Sequence, residues 1–319
     1  MTDTRTTALA TAIVLGTGVL WGFYWLPVRA LADTGLDGPW GTLAITLAAT
    51  LLLAPATLRR WRTLVSTSRV ALVSITLGGA AFALYSIGFI YGRVAIVILL
   101  FFMTPVWSTL IGRYVMGWPT PRRRLLAIGL GLSGLGVMLG ADGTVPLPDG
   151  AGEWMALIAG LLWAIATTGI KARSTLGPVD ATFVFAAGAA LTALLLALML
   201  TLVPGLFTEA VTGTAHAAGP SAREDAAVGQ ILRIGVLALT AGGLWWGLST
   251  AALMWATVRL EPARVGILLM TEVLVGAASA ALLAGEFLTP VEIAGGAMVL
   301  GASLLEIWNP RRPGTISNR

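Results

Sequence analysis

Ten stretches of this chain are each long and apolar enough to cross a bilayer, and no other feature restricts its fold so tightly. A hydrocarbon core about 30 Å thick is spanned by about 20 apolar residues of helix. Such runs follow one another over residues 8–31, 37–58, 69–91, 94–116, 122–140, 152–172, 178–204, 231–258, 263–285 and 290–308, with short polar joints between them. Backbone groups in lipid are satisfied within the spanning structure, by helices or by a closed barrel, and these runs lack the polar/apolar alternation of barrel strands. The expected fold is therefore all-α and polytopic. Only 11% of the 319 residues are charged, against about a quarter in soluble domains.

The net charge of +5, carried by 19 arginines and one lysine, reads as topology rather than as a nucleic-acid surface. With an N-terminus in the cytoplasm, Arg5, Arg59, Arg60, Arg62, Arg69, Arg113, Arg122, Arg123, Arg124, Lys171, Arg173, Arg259, Arg264, Arg311, Arg312 and Arg319 fall inside, and Arg29, Arg93, Arg223 and Arg233 fall outside. The bias of cytoplasmic loops towards Lys and Arg selects this orientation over its reverse, so the chain is expected to be multi-pass with both termini in the cytoplasm. Ala30-Leu31-Ala32 resembles a signal-peptidase site, but Arg29 interrupts the apolar run before it and the segment is long enough to span.

The chain has no cysteine, which removes disulfides, thiolate metal sites and cysteine nucleophiles. Its one histidine, His216, lies in a polar loop, and no paired acids share a span. A membrane-embedded enzyme would need clustered catalytic groups. No catalytic residue, metal or cofactor is therefore expected, and the partners are a small-molecule substrate and the bilayer.

Two phrases recur. Phe101-Phe102-Met103-Thr104-Pro105-Val106-Trp107 returns as Leu268-Leu269-Met270-Thr271-Glu272-Val273-Leu274, at an offset of 167. Leu20-Trp21-Gly22 returns as Leu162-Trp163-Ala164 at an offset of 142, with Arg29 on Lys171 and Gly35 on Gly177. The difference of about 25 residues fits a loop at 205–230, rich in small and polar residues. The chain thus reads as two five-helix halves, 1–145 and 146–319, and an odd number of helices per half makes the repeat inverted. Inverted repeats build secondary transporters, whose midplane site opens alternately to each side.

These residues resemble the drug/metabolite transporter superfamily, with ten helices in two EamA-type halves. Each half opens with a Trp in its first helix (Trp21, Trp163) and has a fourth-helix phrase ending in Pro-Val or Glu-Val. The second half carries Gly285-Glu286-Phe287-Leu288-Thr289, similar to the family's closing GE-x-x-T. The first half departs from it with Gly117-Trp118. Within the superfamily the chain looks most similar to bacterial amino-acid exporters of the YddG type. The resemblance implies a central cavity lined by helices one, three, four, six, eight and nine.

Candidate cavity residues follow. Trp21 and Trp163 lie inside their spans, away from the headgroup belts where Trp collects, and read either as packing bulk or as cavity lining. Phe82, Tyr85 and Phe89 share one helical face, and the Tyr85 hydroxyl needs a partner within the membrane. Phe101 opens the repeated phrase. Met103 and Met270 hold equivalent positions and suit varied apolar ligands as well as plain core filling. Pro105 removes a backbone hydrogen bond and should bend its helix at about residues 101–105, as a hinge or as a static kink. Glu272, its counterpart, is the only acid deep inside a span. A bare carboxylate there costs about 3 kcal/mol on insertion scales, so it should be protonated, paired or wet. The expected function is export of amino acids, aromatic or otherwise apolar, or of similar metabolites. A proton-coupled exporter of drugs or cationic compounds is the alternative. Glycine-rich text at 129–140 and 295–301 points to close helix contacts.

Overall fold

A computed structural model describes residues 4–36, 38–115, 117, 122–141, 147–173, 176–202, 225–257, 259–260, 265 and 268–307. Among them every regular element is helical: α1 (Thr4–Gly22), α2 (Trp25–Ala32), α3 (Pro39–Leu58), α4 (Trp61–Ser66), α5 (Arg69–Tyr91), α6 (Val94–Phe101), α7 (Thr104–Tyr114), α8 (Arg122–Leu139), α9 (Ala151–Arg173), α10 (Pro178–Leu202), α11 (Asp225–Leu239), a π-helical segment (Thr240–Leu248), α12 (Ser249–Thr257), α13 (Thr271–Leu283) and α14 (Pro290–Ile307). Among the described residues seven helical stretches are long and apolar enough to cross a membrane: Arg5–Ala32, Pro39–Leu58, Arg69–Tyr91, Val94–Tyr114, Ala151–Ile170, Pro178–Leu202 and Gly229–Leu253. Leu125–Leu139, Thr271–Leu283 and Pro290–Ala302 are apolar but shorter. The loop expected over 205–230 ends earlier, because α11 already begins at Asp225; His216 and residues 203–224 lie outside the described residues.

Three interruptions shape the bundle. Pro27 has no N–H, and its ring would clash with the carbonyl four residues back. The chain accordingly leaves the α-helical ladder at Phe23 and Tyr24, whose N–H groups bond instead to the carbonyls of Leu20 and Trp21, at 3.2 and 2.9 Å. Treating 8–31 as one uninterrupted span overlooked this break. The second falls at Phe102 and Met103, within the stretch where Pro105 is expected to bend the helix, and Pro105 stands in the first turn of α7. The third, before α13, repeats the second without a proline. Met103 and Met270 both precede a helix, with φ/ψ of −68°/−6° and −61°/−14°. The hydroxyls of Thr104 and Thr271 each bond back to the carbonyl three residues earlier, at 2.7 and 2.6 Å.

Val94 to Leu100 of α6 are all buried. A helix apolar on every side belongs in the middle of a bundle, and α6 packs between α9 and α13. Around it α5 lies along α9 and α10, α3 along α10 and the π segment, α1 along α12 and α13, and α8 along α14. Small residues permit the closest of these approaches. A β-carbon added at Gly134 of α8 would sit 2.7 Å from the Gly295 carbonyl oxygen of α14 and 3.0 Å from the Val299 nitrogen.

Gly134→Ala should therefore destabilise the fold by about 1–3 kcal/mol, the usual cost of overpacking. Gly129→Ala, where an added β-carbon meets nothing within 4 Å, should be neutral or slightly stabilising. Apparent Tm in detergent for the two variants checks the contrast.

Candidate functional site

The site is built on the first turn of α13. Glu272 lies there, 4% exposed, at the end of a helix where unpaired backbone N–H groups favour negative charge. Its carboxyl is reached from α5: the Tyr85 hydroxyl donates to Glu272 Oε1 at 2.8 Å, between residues 187 positions apart. Tyr85 is itself 5% exposed. Each group thus supplies the partner that the other needs in apolar surroundings. The α1 helix crosses close to this turn because Gly18 and Gly22 present no side chain. A β-carbon at Gly18 would lie 3.3 Å from the Glu272 backbone nitrogen, and one at Gly22 would lie 2.7 Å from Val275 Cβ.

From Tyr85 an arc of rings runs through the bundle. Tyr85 meets Phe89 edge-on at 4.7 Å between centroids and Phe101 at 4.5 Å. Phe101 continues to Trp163 at 6.4 Å, and Trp163 to Phe185 at 5.7 Å, edge to face. Phe185 stacks on Trp246 at 5.4 Å, Trp246 meets Phe82 at 4.9 Å, and Phe82 meets Tyr24 at 5.4 Å. These separations are those of favourable aromatic pairs, each worth about 0.5–1.5 kcal/mol beyond burial. Phe82, Phe101, Trp163 and Phe185 are only half-buried, so their faces are not used up by packing. The Tyr24 hydroxyl lies 3.4 Å from the Ser86 hydroxyl, which bonds Thr42 at 2.9 Å.

The broken first helix is held by polar side chains from the second half of the chain. Trp245 Nε1 donates to the Leu20 carbonyl at 2.7 Å, and Trp21 Nε1 to the Ser249 hydroxyl at 2.9 Å. Ser279 accepts from Trp25 Nε1 at 2.9 Å and directs its own proton to the carbonyl of Gly22 or Gly276, at 3.2 or 3.0 Å. The Leu20 carbonyl, which also accepts from Phe23 N, thus gains a second donor, and the Gly22 carbonyl has the Ser279 hydroxyl within reach without water.

Of the candidates read from the sequence, Phe82, Tyr85, Phe101, Trp163 and Glu272 come together here. Trp21 lies beside it, packed on a separate cluster that includes Val14, Leu253 and Val265. Met103 is fully buried with Val106 and Val299, away from the carboxyl, and Met270 is buried immediately before the turn that carries Glu272. Sequence reasoning missed Tyr24, Phe185 and Trp246 in the arc, and Trp25, Trp245 and Ser279 at the break. The criterion that singled out Trp163, a tryptophan well inside a span, applies equally to Trp245 and Trp246. Among the described residues no three of His, Cys, Asp or Glu gather as a metal site.

No family model matches the chain, nor does any curated protein. A solved structure described as "Crystal structure of protein" aligns over 93% of this chain and 95% of its own, at 16% identity and a TM-score of 0.53. At that identity the likeness is one of fold, and it extends over nearly the whole of both chains.

Tyr85→Phe removes the hydroxyl that, among the described residues, donates to Glu272 and leaves a buried carboxyl short of a partner, a loss of about 1–3 kcal/mol. Glu272→Gln keeps a carbonyl acceptor for that hydroxyl and should cost clearly less. Unfolding of both variants and of the double variant gives the coupling; a pair that acts together should show non-additive losses.

Proposed function

We propose that the chain is a secondary transporter of the drug/metabolite transporter type, exporting amino acids with aromatic or other apolar side chains, or similar small metabolites, across a bacterial inner membrane by alternating access. The observation that carries this reading is the Tyr85–Glu272 bond. It joins the two halves in the middle of an apolar bundle, next to interrupted helices and an arc of half-buried rings. Interrupted helices at the bilayer midplane are where transporters of inverted-repeat construction bind substrate. The rings would receive an apolar side chain. The carboxyl, the hydroxyls of Tyr85 and Tyr24 and the backbone at the breaks would orient its polar end.

Ten crossings follow if the three shorter apolar helices also traverse the membrane, completed by the turns before them. Two-half construction is supported by the packing. Exchanging the halves turns the α1–α13 contact into α9 against α6 and α7, α5–α9 into α1–α12, and α5–α10 into α3 against the π segment, while α3–α10 and α8–α14 map onto themselves. All of these contacts are present. The matched turns at Met103 and Met270 add a local version of the same relation. With the termini in the cytoplasm, residues 33–38, 92–93 and 285–289 mark the outer face.

A proton-coupled exporter of cationic compounds is the second reading. It is favoured by one observation: among the described residues the bonding partner of the buried Glu272 is a neutral hydroxyl, which leaves the carboxyl available to a proton or a cation.

A single cysteine at residue 215, in a chain that has none of its own, should label from the outside only; labelling from the cytoplasm alone would overturn the topology. In proteoliposomes Trp163→Ala and Tyr85→Ala should each cut amino-acid flux severalfold at equal amounts of folded protein, and unchanged flux in both returns these residues to packing. Flux with and without an imposed pH gradient separates the two readings. Accumulation driven by pH in the parent and absent in Glu272→Gln selects the proton-coupled one.

A further inference from the structure

Two arginines and two glutamates close one end of the bundle. Arg29, in the last turn of α2, bonds Glu286 Oε1 through Nη2 at 2.7 Å, and also donates to the carbonyls of Phe89 at 3.0 Å and Gly92 at 3.3 Å. Its guanidinium lies 5.2 Å from the Trp25 ring centroid. The other oxygen of Glu286 accepts the backbone N–H of Val94, the first residue of α6, at 2.6 Å. Arg93 pairs with Glu292 and donates to the Phe287 carbonyl at 3.1 Å. Glu292 in turn accepts from Thr289 N at 2.7 Å and donates its own N–H to the Thr289 hydroxyl at 3.2 Å, a reciprocal cap that fixes the start of α14. Gly285, at φ +67°, takes the left-handed conformation that favours glycine and swings Glu286 back over the end of α13.

Every one of these arginine contacts beyond Trp25 reaches an end of α5 or α6 or crosses to the second half. The two glutamate side chains are 15% and 7% exposed, so salt screens them less than it would a surface pair. In sequence, the second half's Gly285-Glu286-Phe287-Leu288-Thr289-Pro290-Val291-Glu292 corresponds to Gly117-Trp118-Pro119-Thr120-Pro121-Arg122-Arg123 in the first half, matched at Gly and at Thr-Pro with one residue fewer. Trp118 then stands for Glu286 and Arg123 for Glu292, while Arg29 corresponds to Lys171. The Arg29 cation is repeated, Arg93 falls on Leu260 at the offset of 167, and neither carboxylate is repeated.

We propose that the arginine–glutamate pairs Arg29–Glu286 and Arg93–Glu292 form a clasp that holds the outer mouth shut. This rests on the transport reading above and adds the device that closes its outer side. A contiguous route ties the clasp to the site: Glu272 bonds Tyr85, Tyr85 packs on Phe89, and the Phe89 carbonyl accepts from Arg29. Substrate opens the outer mouth only to the extent that it binds the opened state more tightly than the closed one, and this route is where that difference acts on the clasp.

The test uses the full chain in nanodiscs, with spin labels at Asp33→Cys, close in sequence to Arg29, and at Val291→Cys, next to Glu292, both exposed. Pulsed electron–electron distance measurement should give one dominant short distance. Glu286→Gln with Glu292→Gln should add a longer one, raising the long-to-short ratio roughly tenfold, as for losing two charge pairs of modest strength. Each single Gln variant, milder for folding, should raise it part of the way. A distribution unchanged in the single and double variants overturns the clasp, whatever the flux. Opening in the variants without flux of any amino acid in proteoliposomes of the parent overturns the transport reading and leaves the clasp standing.

Discussion

A carbonyl freed inside an apolar bundle has to find a donor in the protein itself, because an unpaired polar group there costs several kcal/mol. The rest of this structure depends on how that demand is met at the turn of Phe23 and Tyr24. Pro27 prevents the first helix from running straight, Trp245 adds a donor to the Leu20 carbonyl, and the Ser279 hydroxyl lies within reach of the Gly22 carbonyl. Both come from the second half of the chain. Breaking one half therefore ties it to the other, and the same cross-half logic recurs in Tyr85 and Glu272. The bundle is held together at its centre by the repair of its own interruptions.

The two Met-Thr phrases show what a shared backbone turn leaves free. At Met103 and Met270 the backbone makes the same turn, with the same threonine closing it. One copy has proline in the following turn and the other has glutamate. Since the turn forms in both, proline is not required for it; the position tolerates a residue chosen for another purpose. An ionisable group at Glu272 gains the favourable end of a short helix without disturbing the geometry that both copies share.

Much of the helical architecture was legible in the chain because apolar runs of span length have few alternatives. Glu272 and Tyr85 were each marked by the same rule, a polar group in an apolar stretch in need of a partner. That they satisfy each other was not legible, since no periodicity links positions 187 apart. Pro27 announced a break that a reading by hydropathy passed over, because hydropathy averages across a single residue. The π segment gave no signal at all: Thr240–Leu248 is as apolar as its neighbours, and the wider turn depends on what it packs against. Arg29 and Arg93 entered only as counts for orientation, and the glutamates that hold them lie close to 200 or more positions away.

The helix from Val94 to Phe101 has no side that touches open space through Leu100. A rod gripped all round cannot creep. Any tilt of it displaces packed side chains on several neighbours at once, and close-packed interiors yield to that by jumping between arrangements rather than by bending. Glu286 holds one end of this rod, at Val94, and Phe101 at its other end touches the ring of Tyr85. A displacement at either end would reach the other as a single step, which makes the rod a mechanical link between the Arg29–Glu286 end of the bundle and its middle.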